Sequence, residues 1–198
     1  MKATLRELLE TATLAVFVFL LLQTTIQNFR VEGSSMQPTL QNGQLLLVNK
    51  AVYDRIDLER TSQFLHLPRS LGERLVYLFH PPRRGEIIVF RFPLDESRNF
   101  VKRVIAVPGD SVEIRGGRVY VNGKRLEEPY VKAPSFSEEE SMTLGTDQYF
   151  VMGDNRIASN DSREWGPVPL KDIIGRAWIV YWPPHQLGLM TAPAGEPE

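Results

Sequence analysis

The run Phe100–Leu126, "FVKRVIAVPGDSVEIRGGRVYVNGKRL", decides the fold class. "FVKRVIAV" reads as a strand, and Pro108-Gly109-Asp110 ends it in a turn. Beyond the turn, Gly116-Gly117 and Asn122-Gly123 are hairpin signals set between alternating apolar residues. Outward from this run, "GQLLLVNK" (Gly43–Lys50) and "EIIVFRF" (Glu86–Phe92) read as strands too. "QYFVMGDN" and "IIGRAWIVYW" supply later ones. Residues 127–147, with Pro129, Pro134 and the acidic run Glu138–Glu140, read as a solvated loop. The expected class is mostly β, with long connections.

The chain has 198 residues, 42% hydrophobic and 24% charged, enough for one domain with a real core. A net charge of −1 makes no electrostatic case for nucleic acid. There is no cysteine, so disulfides, thiolate nucleophiles and cysteine metal cages are excluded. His66, His80 and His185 lie far apart, and no HExxH, GxGxxG or Walker A loop occurs. Any enzyme here is expected to work without a metal or cofactor.

Between Glu10 and Arg30 there is no charge, and Leu14–Leu22 is wholly apolar. A bilayer-spanning helix needs about 20 such residues. A cleaved signal peptide would need a small-residue exit site, and "QTTIQNFR" has none. A buried soluble helix is the remaining alternative to an uncleaved anchor over residues 11–29. Lys2 and Arg6 place residues 1–10 in the cytoplasm. Residues 30–182 then form an exterior β domain, and 183–198 a flexible tail. Within it, residues 51–85 mix apolar and basic side chains, with Leu71, Leu75, Leu78 and Phe79 at helical spacing. Such a segment could rest on a membrane surface or pack on the domain.

Three stretches could carry chemistry. In "VEGSSMQPTL" (Val31–Leu40), Gly33 and Pro38 shape a loop able to present a serine; the plain alternative is a polar turn. A serine nucleophile needs a base, and serine–lysine pairs are one known solution. Lys102 interrupts an apolar strand, with Phe100, Val104 and Ala106 on its face by alternation. Burial there would lower its pKa towards neutrality, as a base requires. An edge strand with Lys102 in water is the alternative. "GDNRIASNDSREWGPV" (Gly153–Val168) is polar between strands, and its Asp161 and Arg163 can pair or brace a turn with Asp154 and Arg156. Otherwise it is a surface turn.

In this order, these pieces resemble a bacterial type I signal peptidase over most of the chain. The resemblance implies an antiparallel β fold of the signal peptidase and LexA kind, behind one transmembrane helix. It implies a serine endopeptidase that cleaves signal peptides from exported preproteins after A-x-A sites. By position, Ser35 is the nucleophile, Lys102 the general base, and Ser159 the serine that hydrogen-bonds that lysine. Asp161 and Arg163 match a bracing pair, and Gly153, Asp154 and Asn155 a structural turn. The oxyanion region spans Gly33, Ser34 and Ser35; Gly33 stands where some members carry a serine hydroxyl. Ile157-Ala158 replaces the family's common polar pair. Met36 and Ile105 are candidate walls of the substrate pocket. The implied partners are signal peptides, the lipid bilayer and the protein export machinery, with no nucleic acid. A peptidase specialised for one pilus or conjugation protein, or an inactive membrane-anchored β-binding module, would share this pattern.

Overall fold

The computed structural model describes residues 2–57, 75–133 and 140–191. Helix α1 (Lys2–Thr25) is followed directly by strand β1 (Ile26–Arg30), so the last residues of the expected span are strand instead of helix. From Arg6 to Thr25 the helix is apolar and long enough to cross a membrane, and none of that stretch is buried. It is therefore not a core helix of the domain. Its polar end is satisfied internally: the Thr24 and Thr25 hydroxyls donate to the carbonyls of Leu20 and Leu21.

The chain continues as β2 (Leu45–Asn49), β3 (Arg55–Asp57), β4 (Leu75–Tyr77), β5 (Ile87–Phe92) and β6 (Asp95–Ala106). Then come β7 (Ser111–Arg115), β8 (Arg118–Val121), β9 (Lys124–Arg125), β10 (Glu140–Thr143) and β11 (Gln148–Met152). A short helix α2 (Ser162–Trp165), β12 (Val168–Pro169), β13 (Ile173–Trp182) and β14 (Gly188–Leu189) complete it. The main sheet runs β1-β2-β13-β5-β6-β11-β12, with β14 on β13. A second sheet runs β10-β7-β8-β9, and β3 pairs with β4. Every pairing is antiparallel.

Three expectations change here. Leu75 belongs to a strand, paired through Asp57, so the helical spacing of Leu75, Leu78 and Phe79 does not make a helix. Leu71 lies outside the described residues, as do 58–74 generally. Glu140–Thr143, expected in a solvated loop, pairs with β7. In the expected tail, Gly188–Leu189 pairs with β13; residues 192–198 lie outside the described residues.

The main sheet is buried on both faces. Ile87 and Val89 of β5 pack with Val31, Met36, Leu40 and Val48, while Ile88 and Phe90 pack with Val104, Tyr149 and Val151. Strand β6 lies between β5 and β11; β11 pairs with it only from Arg103 to Ala106, but Lys102 is buried and not held in water as the edge-strand alternative required. Phe100 and Val104 share a cluster, as alternation predicts. Ala106 instead joins Ile105 in the core of the second sheet, where the β6–β11 register shifts.

Asp110 ties the turn between the two sheets. It accepts from Arg84 (2.6 Å), the Val107 N–H (2.8 Å) and Asn122 (2.9 Å). Burial alone would raise its carboxyl pKa, but these donors outweigh burial and hold it below the usual range. Its stabilisation is therefore full above the ordinary carboxylate pKa and is lost as pH falls through the lower folded value. Asp110→Ala should cost about 1–3 kcal/mol in urea unfolding at pH 7. The gap from wild type should close in acid; a gap independent of pH would contradict the account.

Candidate active site

Two loops meet beside Lys102 and Arg103 of β6. The first, from Val31 to Gly43, closes on itself through Val31 N–H to Gln44 O (2.8 Å) and Gly43 N–H to Val31 O (2.8 Å). Its apolar residues Val31, Met36 and Leu40 are sunk in the core, which leaves Ser34 and Ser35 half-buried above them. Gly33 adopts φ +85°, a left-handed conformation that glycine takes without strain. The second loop begins at Gly153. The β6–β11 register ends at Met152 opposite Arg103, so this loop leaves the sheet beside Lys102.

Lys102 Nζ lies 2.8 Å from Ser35 Oγ and 3.2 Å from the Val101 carbonyl. The lysine is only 4% exposed. Burial lowers its pKa from the usual 10.5 to about 8, against the pull of the Asp161 and Asp154 carboxylates, which raise it.

The second loop holds the first in place. Asn155 donates its backbone N–H to Ser35 O (2.9 Å) and its side-chain amide to Ser34 O (3.2 Å). Asp154 accepts two bonds from buried Arg103 (2.8 and 2.7 Å) and one from the Thr39 hydroxyl. Arg103 also donates to Gly85 O (2.7 Å) and lies 4.0 Å above the Tyr130 ring. Asp161 takes Arg163 Nε at 2.7 Å and the Gly153 N–H at 2.9 Å. Arg156 braces the same turn, donating to Gly153 O (3.0 Å) and accepting from Arg163 at its own carbonyl (2.9 Å), and it also pairs with Glu128.

The structure thus brings Ser34, Ser35, Lys102, Gly153, Asp154, Asn155, Ser159, Asp161 and Arg163 together. Ser159 departs from its expected contact. Its hydroxyl is buried with no hydrogen-bond partner, and Lys102 bonds Ser35 and Val101 instead. Gly153 is tightly enclosed: a Cβ there would sit 2.3 Å from Ser159 Oγ and 2.4 Å from Ser35 O. The two pocket candidates are also corrected. Met36 is packed in the core beneath the serine loop, and Ile105 in the core of the second sheet. The cleft beside Ser35 and Lys102, of about 400 Å³, is walled by Phe29, Val31, Val89, Phe100 and Ala158. Thr39, Arg103, Glu128 and Tyr130 were missed as parts of the site. The available signal was Arg103, a second cation breaking an apolar strand.

Among the described residues no His, Asp and Glu cluster suits a metal ion. Beside Ser35 the cleft offers a hydroxyl held by a buried amine, which suits acyl transfer. Comparison with known proteins gives the family. Residues 5–182 match the family described as signal peptidase, peptidase S26. The chain belongs to that family, whose members are serine endopeptidases. It is 38% identical over 93% of its length to a probable signal peptidase I-2 of Synechocystis sp., covering 77% of that protein. It is 36% identical over 87% of its length to the signal peptidase I of Bacillus caldolyticus, covering 84%. A crystal structure of a signal peptidase I from Enterococcus faecalis is similar over 49% of this chain and 97% of that one, at 32% identity and a TM-score of 0.44.

Two outcomes follow from this geometry. Gly153→Ala must displace the Ser35 carbonyl or Ser159, and should lower kcat about 100-fold; an unchanged kcat would show that the loops can give way. Removing the buried amine, in Lys102→Met, should stabilise the fold. With a folded pKa lowered from 10.5 to about 8, folding carries a charge-burial cost below pH 8 that fades between pH 8 and 10.5. At pH 7 the gain should approach about 3 kcal/mol, read by denaturant unfolding. A gain that persists unchanged at pH 11 would point to packing instead.

Proposed function

We propose that this chain removes signal peptides from exported preproteins after A-x-A-like sites, with Ser35 as nucleophile and Lys102 as general base. The observation that carries it is the 2.8 Å contact between Ser35 Oγ and a buried Lys102 amine. With a pKa of about 8, roughly a tenth of that amine is neutral at pH 7. The neutral amine accepts the Ser35 proton along this contact as Oγ attacks the scissile carbonyl. The ammonium then gives a proton to the departing amine, and the free base later activates the water that releases the signal peptide.

The oxyanion needs N–H donors. Gly33 N–H is committed to Asn42 Oδ1 (2.9 Å), which leaves the Ser34 and Ser35 N–H groups as the donors in this reading. Substrate binds in extended form along β6. Residues Asn99–Val101 pair with β5 on one side, while β11 covers β6 only from Arg103 onward. The open edge from Asn99 to Lys102 lines the cleft, which supports strand addition. The cleft's apolar walls suit small side chains.

Helix α1 is the single membrane anchor of this reading, with the N-terminus in the cytoplasm and the β domain on the outer side of the cell membrane. Only β1 separates α1 from the serine loop, which holds the site near the surface where a signal peptide is cut. Exposed Val76, Leu78 and Phe79 support lipid contact by the 51–85 insertion.

The test is cleavage of a preprotein by the full chain in detergent. Wild type should cut after A-x-A, and Ser35→Ala and Lys102→Met should not. Cleavage by either variant overturns the pair. In wild type, kcat/KM should fall about tenfold per pH unit below an acid limb near pH 8. A limb near pH 6 would point to a different base.

A further inference from the structure

Lys102 Nζ has three protons when charged. Two lie on Ser35 Oγ and the Val101 carbonyl. A further neighbour is the ring of Phe100, whose centroid is 5.3 Å from Nζ. That is within the range at which a ring face attracts a cation. The ring is itself held. Phe92 stacks on it at 4.6 Å and 19°, Phe90 meets it edge-on at 6.3 Å, and Arg98 lies 5.2 Å from its centroid. Arg98 also reaches Phe92, at 5.7 Å. This fixed aromatic stack ends at the amine.

We propose that Phe100 is a positioning residue whose ring face holds the ammonium that forms on Lys102 when Ser35 gives up its proton. The inference rests on the reading of Lys102 as general base. The proton passes from Ser35 Oγ to Nζ, the Oγ–carbonyl bond forms, and the new charge on nitrogen faces the ring. Burial alone would disfavour that charge; the ring partly offsets the penalty without adding a carboxylate that would keep the amine permanently charged. The charged groups that act on Lys102 are Asp154 and Asp161, from the loop after β11, while Arg30 and Glu32 line the same cleft. Arg98 lies against the same ring. Asp154 and Asp161 are each bonded to an arginine, Arg103 and Arg163. The ring, like the Val101 carbonyl, is thus a neighbour that favours the ammonium without charge of its own.

The experiment is the pH dependence of kcat/KM for preprotein cleavage by the full chain in detergent. Phe100 is replaced site-specifically by mono-, di- and trifluorinated phenylalanine, which keep its shape and progressively remove the negative ring face. The acid limb should move down stepwise, by about half a pH unit in all, and the plateau should fall. Phe100→Leu should show the same shift, and Phe100→Tyr should restore the wild-type midpoint. A midpoint unchanged across the fluorinated series overturns the proposal, even if activity drops, because a merely structural wall lowers rate without moving the limb. A wild-type profile with no limb near pH 8 overturns the base assignment and this proposal with it.

Discussion

The buried ion pair between Arg103 and Asp154 is the constraint on which the site depends. Both residues are almost fully removed from water, at 2% and 1% exposure. A buried pair of this kind adds little net stability over apolar packing, yet loss of one partner costs about 3–5 kcal/mol. Its value here is geometric. Arg103 follows Lys102 on β6, Asp154 precedes Asn155, and Thr39 bonds Asp154 from within the serine loop. One pair therefore fixes three separate pieces of chain relative to each other. Asn155 then completes the link by binding the carbonyls of Ser34 and Ser35.

The same arrangement settles the charge on the lysine. Two carboxylates, Asp161 and Asp154, favour a charged Lys102, and burial opposes them and prevails. Each carboxylate faces an arginine at 2.7 Å. Those pairings weaken the field that Asp154 and Asp161 exert on Nζ, so burial can bring the amine's pKa down to about 8. Without the arginines' charge, the two carboxylates would act on Nζ undiminished and favour the charged lysine more strongly. The serine loop contributes in another way. Its buried Val31, Met36 and Leu40 are anchors, and they leave Ser35 facing the cleft.

Much of this was legible in the sequence, and the failures have physical causes. The strands around Phe100–Leu126 announced themselves through hairpin glycines and alternating side chains. The Glu140–Thr143 strand did not, because "ESMT" has no apolar period and lies at the edge of its sheet. Leu75, Leu78 and Phe79 fit helical spacing, but a three-residue strand is too short to impose a period of its own. Met36 and Ile105 lie within three residues of Ser35 and Lys102, but nearness in sequence does not put a side chain in the pocket. Ile105 is an odd number of residues from Lys102, which already sets it on the opposite face of a strand. The bracing pair Asp161–Arg163 was readable from spacing. The partners of Asp154 were not, since Arg103 and Thr39 lie far from it in sequence and meet it only through the fold.

Covalent capture is the most direct test of the central claim that Ser35 attacks substrate with Lys102 as its base. The full chain is mixed with a preprotein, quenched in acid within one turnover, digested and mapped by mass spectrometry. The account predicts a signal-peptide ester on the peptide containing Ser35, at the oxygen of that residue. An adduct on Ser34 or Ser159, or turnover through no adduct under conditions where acylation outpaces hydrolysis, would contradict it.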